Sequence, residues 1–108
     1  MALALRIDLY TSDNLHAEFI VEPQWWRPTE LLATYSFAAR SKNGYMDYSL
    51  LITKQQLKEM HRHQLQYIDQ EHLQEMNNIV IRQLEDIINS TTEFRKIQIN
   101  IYEWETSE

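Results

Sequence analysis

Histidines are the residues of this chain best suited to bind a metal ion or to move a proton. Three of them, His61, His63 and His72, fall in one stretch of helix-forming residues that contains the triplet HRH. Side chains two positions apart on a helix point in different directions, so His61 and His63 cannot hold one metal ion together. His61 and His72 share a helical face but lie about 16 Å apart along an unbroken helix. We therefore predict exposed helix histidines, with no metal site and no cofactor.

A pair of carboxylates is the second candidate for chemistry. The hairpin register derived below places Asp8 opposite Glu18 on the polar face of a sheet, with Tyr10 opposite His16 beside them. Like charges directly opposite each other destabilise a sheet. The pair could act as general acid and base, bind a cation or meet basic side chains of a partner, and it could equally be two solvated side chains. The sequence around it shows no cleft or substrate platform, which argues against catalysis.

The residues on which most enzyme sites depend are scarce. The chain has no cysteine, so thiolate metal sites and a cysteine nucleophile are excluded. Its one glycine, Gly44, falls in a predicted turn, which excludes a glycine-rich phosphate loop. No serine has the flanking pattern of a nucleophile elbow. The sequence therefore predicts a protein that is not an enzyme.

The aromatic residues are typical of a binding surface. Trp25 and Trp26 lie in PQWWRP, residues 23–28, where two prolines exclude a helix or a regular strand. Neighbouring side chains of an extended segment point in opposite directions, so we expect one tryptophan to anchor the core and the other to face a partner. Tryptophan and tyrosine on a polar sheet face are the residue types that dominate interface hot spots. Three aromatics are expected on that face: Tyr10, Tyr102 and Trp104.

The elements that would position these residues begin with a hairpin. Alternate residues are apolar in 3–10 and in 15–21, which is the period of half-buried strands. A three-residue loop, Ser12 to Asn14, brings the apolar residues of both strands onto one face, whereas a two-residue loop would pair apolar with polar residues. We expect Asn14 to take the left-handed backbone conformation that such a loop needs. The expected pairs are Leu9 with Ala17, Ile7 with Phe19 and Leu5 with Val21.

A second hairpin spans residues 31–53, with Asn43-Gly44 at its centre. This dipeptide is the strongest short hairpin signal, and turn, register and amphipathic pattern agree with one another. Counting outward from the turn predicts four pairs: Arg40 with Asp47, Ala39 with Tyr48, Phe37 with Leu50 and Tyr35 with Ile52.

The rest of the chain predicts helix and then one more strand. Helix-forming residues run from Lys54 to Ile88 after a capping box of Thr53 and Gln56, and we expect a break or kink near Asp69. Residues 94–104 alternate as a final strand. The predicted fold is a single α+β domain, residues 1–108: an antiparallel sheet of about five strands, in the chain order β-β-β-β-α(α)-β, with one long or kinked helix packed on one face. The other face would be open to water or to a partner.

Charge and composition narrow the kind of partner. The chain has 16 acidic and 10 basic side chains, a net charge of −6. This balance argues against binding to nucleic acid and fits a basic protein partner, although charge that only maintains solubility would look the same. Arg6 and Asp8 interrupt the apolar first residues, so these form neither a signal peptide nor a membrane span. With no cysteine, a reducing compartment fits, and we expect a cytoplasmic protein that does not bind membranes.

Size, acidity and missing motifs favour a small inhibitor that binds a protein target and blocks its active site. Bacterial immunity proteins against toxins, many of which are nucleases, and phage-encoded inhibitors of defence enzymes share this general profile. Two alternatives stay open. One is a structural or adaptor module that self-associates, for example as a homodimer. The other is a small enzyme or small-molecule binder that would depend on Asp8 or His16. The expected partner-binding residues are Trp25, Trp26, Asp8, Glu18, Glu22, Tyr10, Asp47, Tyr102 and Trp104.

Overall fold

A computed structural model of the chain describes residues 2–21, 26–67 and 79–104. These residues form five strands and three helices. In chain order they are β1 (Ala2–Tyr10), β2 (Leu15–Val21), α1 (Pro28–Thr34), β3 (Ala38–Lys42), β4 (Tyr45–Ile52), α2 (Lys54–Leu65), α3 (Ile79–Asn89) and β5 (Lys96–Trp104). The predicted class, α+β with an antiparallel sheet of five strands, is confirmed.

The strands form one sheet in the spatial order β2-β1-β5-β4-β3, with every neighbouring pair antiparallel. The last strand of the chain therefore lies in the centre, between the β1–β2 hairpin and the β3–β4 hairpin. The sequence alone leaves this order open, because the crossover between the hairpins permits several arrangements. The central place of β5 agrees with its side chains, since Ile97, Ile99 and Ile101 are all buried.

The predicted chain order is wrong at one place. Residues 28–34 form the helix α1, whereas the apolar pattern predicts a strand from Leu31. Pro28 takes the first helical position, where its fixed φ and missing N–H are tolerated, and Glu30 adds a favourable charge in the first turn. Leu31 is fully buried. A short apolar run fits a buried helix as well as a strand. The order of elements in the described residues is β-β-α-β-β-α-α-β.

The first hairpin has the predicted register over most of its length. All three expected apolar pairs and the pair of Asp8 with Glu18 are present. The register shifts between Leu9 and Tyr10, so Tyr10 pairs with Leu15 and the expected partner His16 is wrong. Asn14 is not left-handed, because Asn43 is the one non-glycine residue with positive φ among those described. Its N–H donates instead to the Ser12 hydroxyl at 3.2 Å, a side-chain contact that shapes the turn.

The second hairpin has the predicted turn but a shorter first strand. Asn43 and Gly44 have φ of 54° and 82°, as a type I′ turn requires, and Arg40 pairs with Asp47 as expected. The strand β3 begins at Ala38, so the pairs predicted for Tyr35 and Phe37 are wrong. Both of these aromatic side chains nevertheless pack against the core from the segment that follows α1.

The predicted capping box at the start of α2 is confirmed. The Thr53 hydroxyl accepts from the Gln56 N–H at 3.1 Å, and the Gln56 side chain accepts from the Thr53 N–H at 2.9 Å. The helix ends at Leu65, before the expected break, and Asp69 itself lies outside the described residues. The one long or kinked helix predicted from the sequence is therefore not confirmed.

The hydrophobic core lies between one face of the sheet and the three helices. The sheet contributes alternate residues such as Leu5, Ile7 and Ile99, and the helices contribute Leu31, Leu57, Met60, Leu84 and Ile88. Lys54 fixes the end of α3, because its ammonium group donates to the carbonyls of Ser90 and Thr92. A cation is favourable at this position, where helix carbonyls lack partners. Within the described ranges, the helices are too short or too polar to cross a membrane.

Candidate protein-binding face

The side of the sheet that points away from the helices is the open face. In the part of the chain that the structure describes, the helices pack on the opposite side, where the apolar residues of the strands are collected. The strand register assigns these residues to the open face: Arg6, Asp8 and Tyr10 of β1; Glu18 and Ile20 of β2; Ala38, Arg40 and Lys42 of β3; Asp47, Ser49 and Leu51 of β4; and Lys96, Gln98, Asn100 and Tyr102 of β5.

Several residues predicted to contact a partner lie together on this face. They are Asp8, Tyr10, Glu18, Asp47 and Tyr102. Trp104 is the last residue of β5. Glu22 and Trp25 lie outside the described residues. The structure therefore brings five of the nine predicted residues onto one face of the sheet, from four different strands.

Asp8 is the centre of a hydrogen-bonded cluster on the open face. Asp8 is only 4% exposed, although no helix covers it among the described residues. The guanidinium of Arg6 lies 3.0 Å from one Asp8 oxygen, and the amide of Asn100 donates to the other at 2.8 Å. Gln98 in turn donates to Asn100 at 2.7 Å. Asp8 is thus a satisfied structural carboxylate that fixes the positions of its polar neighbours.

The cluster also explains how Asp8 and Glu18 tolerate being opposite each other. Burial alone would lower the pKa of Arg6, but the hydrogen bond and charge of Asp8, with a contribution from Glu18, raise it above its ordinary value. The guanidinium therefore stays charged and offsets the repulsion between the two carboxylates.

Two shallow depressions on the open face meet at Asp47. One, of about 250 Å³, lies between Arg6, Asn100 and Tyr102, and the other, of about 400 Å³, lies over Ala38 and Ser49. Small side chains form the floor of the second depression. The edges offer a guanidinium, a carboxylate, carboxamides and a phenol, which can bind the polar groups of a protein surface. Asp47 and Tyr102, both predicted from sequence, are direct cross-strand partners at this point.

Two exposed aliphatic residues on the open face were not predicted as part of the site. Ile20 of β2 is 59% exposed and Leu51 of β4 is 64% exposed. They lie on either side of the polar cluster around Asp8. Large apolar side chains in such positions commonly mark a contact surface. The signal in the sequence is that each breaks the alternation of its strand, in FIV and LLI, by adding an apolar residue at a polar position.

The charges of the open face nearly balance. The four basic residues Arg6, Arg40, Lys42 and Lys96 accompany the three acidic residues Asp8, Glu18 and Asp47. The six acidic residues that account for the net charge of −6 are Glu22, Asp69, Glu71, Glu75, Glu105 and Glu108, all outside the described residues. The described residues as a whole carry no net charge, since they hold ten acidic and ten basic side chains.

Trp26 is the member of the adjacent tryptophan pair that packs into the core. It is fully buried, and its indole N–H donates to Nδ1 of His61 at 3.3 Å. Since indole nitrogen can only donate, Nε2 of His61 carries the ring hydrogen and donates to Glu85 at 3.0 Å. The three side chains join the segment before α1 to α2 and α3. Trp26 is thus a core anchor, and its burial withholds it from a partner.

The prediction of exposed helix histidines is wrong for His61, which is only 7% exposed. His63 is exposed and contacts the edge of the Tyr67 ring, with the ring centroids 5.4 Å apart. His72 lies outside the described residues. Across residues 2–21, 26–67 and 79–104, no three histidine, aspartate or glutamate side chains converge as metal ligands.

Comparisons with known proteins give no assignment. No protein-family model matches the chain, and neither a curated protein nor a solved structure shows significant similarity to it. Any functional inference therefore depends on the site itself.

Proposed function

We propose that this protein is a small cytoplasmic inhibitor of the immunity-protein type, which binds a protein target through the open face and occludes the target's active site. The target would be a basic toxin, such as a nuclease, or another basic enzyme. The observation that carries the proposal is the exposure of Ile20 and Leu51 on either side of a rigid polar cluster. Apolar and aromatic contacts around a fixed polar centre are what a specific protein interface needs.

The geometry favours a protein over a small molecule as the ligand. Ligand pockets usually enclose most of a small molecule, whereas the two depressions at Asp47 are shallow. The polar groups that could have formed a catalytic site around Asp8 are occupied with one another. A flat, pre-organised face loses little conformational entropy when a partner binds to it.

The acidic excess has a distinct role in this proposal. Because the open face is nearly neutral, the six acidic residues outside the described ranges would supply the long-range attraction to a basic target. Such attraction raises the association rate and is weakened by salt. Contacts made by Leu51 and Ile20 would instead slow dissociation and depend little on salt.

The test is capture of a target from the native host with tagged wild-type protein and two variants. Leu51→Asp adds a charge to the open face, and Gln83→Asp adds the same charge at an exposed position of α3. We expect wild type and Gln83→Asp to retain one stoichiometric protein, and Leu51→Asp to lose it by at least about tenfold in affinity. The captured protein should lose its activity when one equivalent of inhibitor is added.

Two results would overturn the proposal. One is a target that all three proteins retain equally, which would place the contact away from the open face. The other is a captured protein whose activity is unchanged by saturating inhibitor. The mass of the purified protein in solution distinguishes an inhibitor from a self-associating module. The module would have the mass of a dimer without any partner.

A further inference from the structure

The strand β3 forms an edge of the sheet within the described part of the chain. All of its residues, Ala38–Lys42, are exposed. The opposite edge, β2, differs because Phe19 and Val21 are buried in the core. An exposed edge strand presents backbone N–H and C=O groups that a further strand can pair with.

The turn defines which backbone groups of β3 point outward. In a two-residue hairpin the residues flanking the turn, Lys42 and Tyr45, form a hydrogen-bonded pair, and bonded and non-bonded pairs then alternate. Arg40 therefore directs its backbone groups to β4, whereas Ala39 and Ser41 direct theirs away from the sheet. Met46, the partner of Ser41, agrees with this assignment, since its N–H donates to the Glu103 side chain at 2.9 Å on the β5 side.

The side chains of β3 limit what could be added beside it. Arg40 and Lys42 are consecutive side chains on the open face, because Ser41 between them belongs to the core side. On the core side lie Ala39 and Ser41, whose small side chains leave the neighbouring Tyr48 only half-buried. An added strand would place alternate side chains beside the two cations, and the others beside Ala39, where apolar groups would cover Tyr48.

We propose that β3 accepts an extended segment of a partner protein in which acidic and apolar residues alternate. The outward groups of Ala39 and Ser41 would bond its backbone, and its carboxylates would pair with Arg40 and Lys42. This is strand addition, in which backbone bonds give affinity and alternate side chains give specificity. A second copy of this chain fits poorly, because antiparallel pairing of two β3 strands sets like charges against each other. This proposal concerns the backbone edge of the sheet at β3, whereas the contact proposed for the inhibited target depends on Ile20 and Leu51; Arg40 and Lys42 lie where the edge meets the open face.

The probe is a fluorescent peptide of alternating valine and glutamate, about eight residues long. It is titrated into the full-length protein while anisotropy is measured, with a peptide of the same composition in scrambled order as control. We expect the alternating peptide to bind more tightly than the scrambled one by about tenfold or more, and its affinity to fall as salt increases.

Amide hydrogen exchange in the wild-type protein reads out the site without a substitution. The amides of Ala39 and Ser41 should exchange rapidly in the free protein and become protected when the peptide is added. The amides of Arg40 and Lys42, already bonded to β4, serve as internal controls and should change little.

Two variants test the edge and its charges. Ala39→Pro removes an outward N–H without removing a bond to β4, so folding should persist while peptide affinity drops by about tenfold. The double variant Arg40→Gln, Lys42→Gln should lose affinity and salt dependence, whereas Lys58→Gln and Arg62→Gln, exposed on α2, should retain both. Leu51→Asp should leave peptide binding unchanged, which separates failure of this proposal from failure of the first.

The contrary explanation is that Arg40 and Lys42 protect the edge from any pairing, as edge lysines often do. That explanation predicts no binding at about 1 mM peptide, and a shift of the double variant toward dimers or aggregates. Either absence of binding, or binding without protection of Ala39 and Ser41, would overturn the proposal.

Discussion

The two faces of the sheet are built from alternate residues of the same strands, yet they are held together differently. On the core face Ile7 and Ile99 are cross-strand partners and both are fully buried by the helices. One residue further along, Asp8 and Gln98 are partners on the open face, where Asn100 connects them by hydrogen bonds. The core face gains its stability from burial, whereas the open face is ordered by polar contacts that leave its surface exposed.

This difference suggests why the open face suits binding. A polar cluster that is satisfied within the sheet holds its side chains in place before a partner arrives, so less order must be imposed on binding. Ile20 and Leu51 can then contribute apolar contact area on either side. The same residues would be a poor addition to the core, because the strand alternation directs them to the opposite side.

The largest expected effect comes from breaking the core face at its centre. Ile99→Ala should destabilise the protein by about 2–5 kcal/mol, because the helices can only partly fill the cavity that it leaves. Unfolding in urea, followed by circular dichroism, measures this loss as a lower midpoint. Ser49→Ala, on the open face of the neighbouring strand, should change stability by less than about 0.5 kcal/mol. Equal losses for both variants would show that the two faces are not held differently.

A smaller effect should follow from removing the centre of the polar cluster. Asp8→Ala takes away the acceptor for Arg6 and Asn100, and we expect a loss of about 1–3 kcal/mol. Glu18→Gln removes the charge on the directly opposite residue, which makes no comparable set of bonds, so stability should be unchanged or slightly higher. The comparison uses the same urea titration. If Glu18→Gln costs as much as Asp8→Ala, the two carboxylates share the structural role that is assigned to Asp8 alone.

The sequence could predict those features that depend on local pattern. The hairpin registers follow from alternation, because a shift of one residue would expose Ile7 or Phe19, and the second turn follows from Asn43-Gly44. The open face and five of its residues follow from the same alternation. The burial of His61 could also have been predicted from the sequence. It has the helical spacing of the other buried residues of α2, which are Leu57, Met60 and Gln64.

Other features depend on contacts between distant parts of the chain. Leu31 of α1 and Trp26 just before the helix are both fully buried, and the bond from Trp26 to His61 joins residues 35 positions apart. No local pattern specifies such a contact. The position of β5 between the two hairpins is likewise a property of the assembled sheet, since each hairpin could have paired with the other directly.

The smallest expected effect is at the end of the open face, where Lys96 lies over the ring of Tyr10 with its ammonium nitrogen 4.2 Å from the centroid. A cation over an exposed ring contributes about 0.5–1 kcal/mol, so Lys96→Gln should lower stability by no more than that. Lys58→Gln, at an exposed position of α2, removes the same charge without a ring contact and serves as the control. The difference between the two unfolding free energies isolates the ring contact from the general effect of removing a positive charge.

Because Tyr10 is part of the proposed binding face, the variants Lys96→Gln and Lys58→Gln should also be compared for target capture. If Lys96→Gln loses the target and Lys58→Gln retains it, the contact surface includes the end of the open face where Tyr10 pairs with Lys96. If both variants retain the target equally, the contact surface is confined to the region between Ile20 and Leu51.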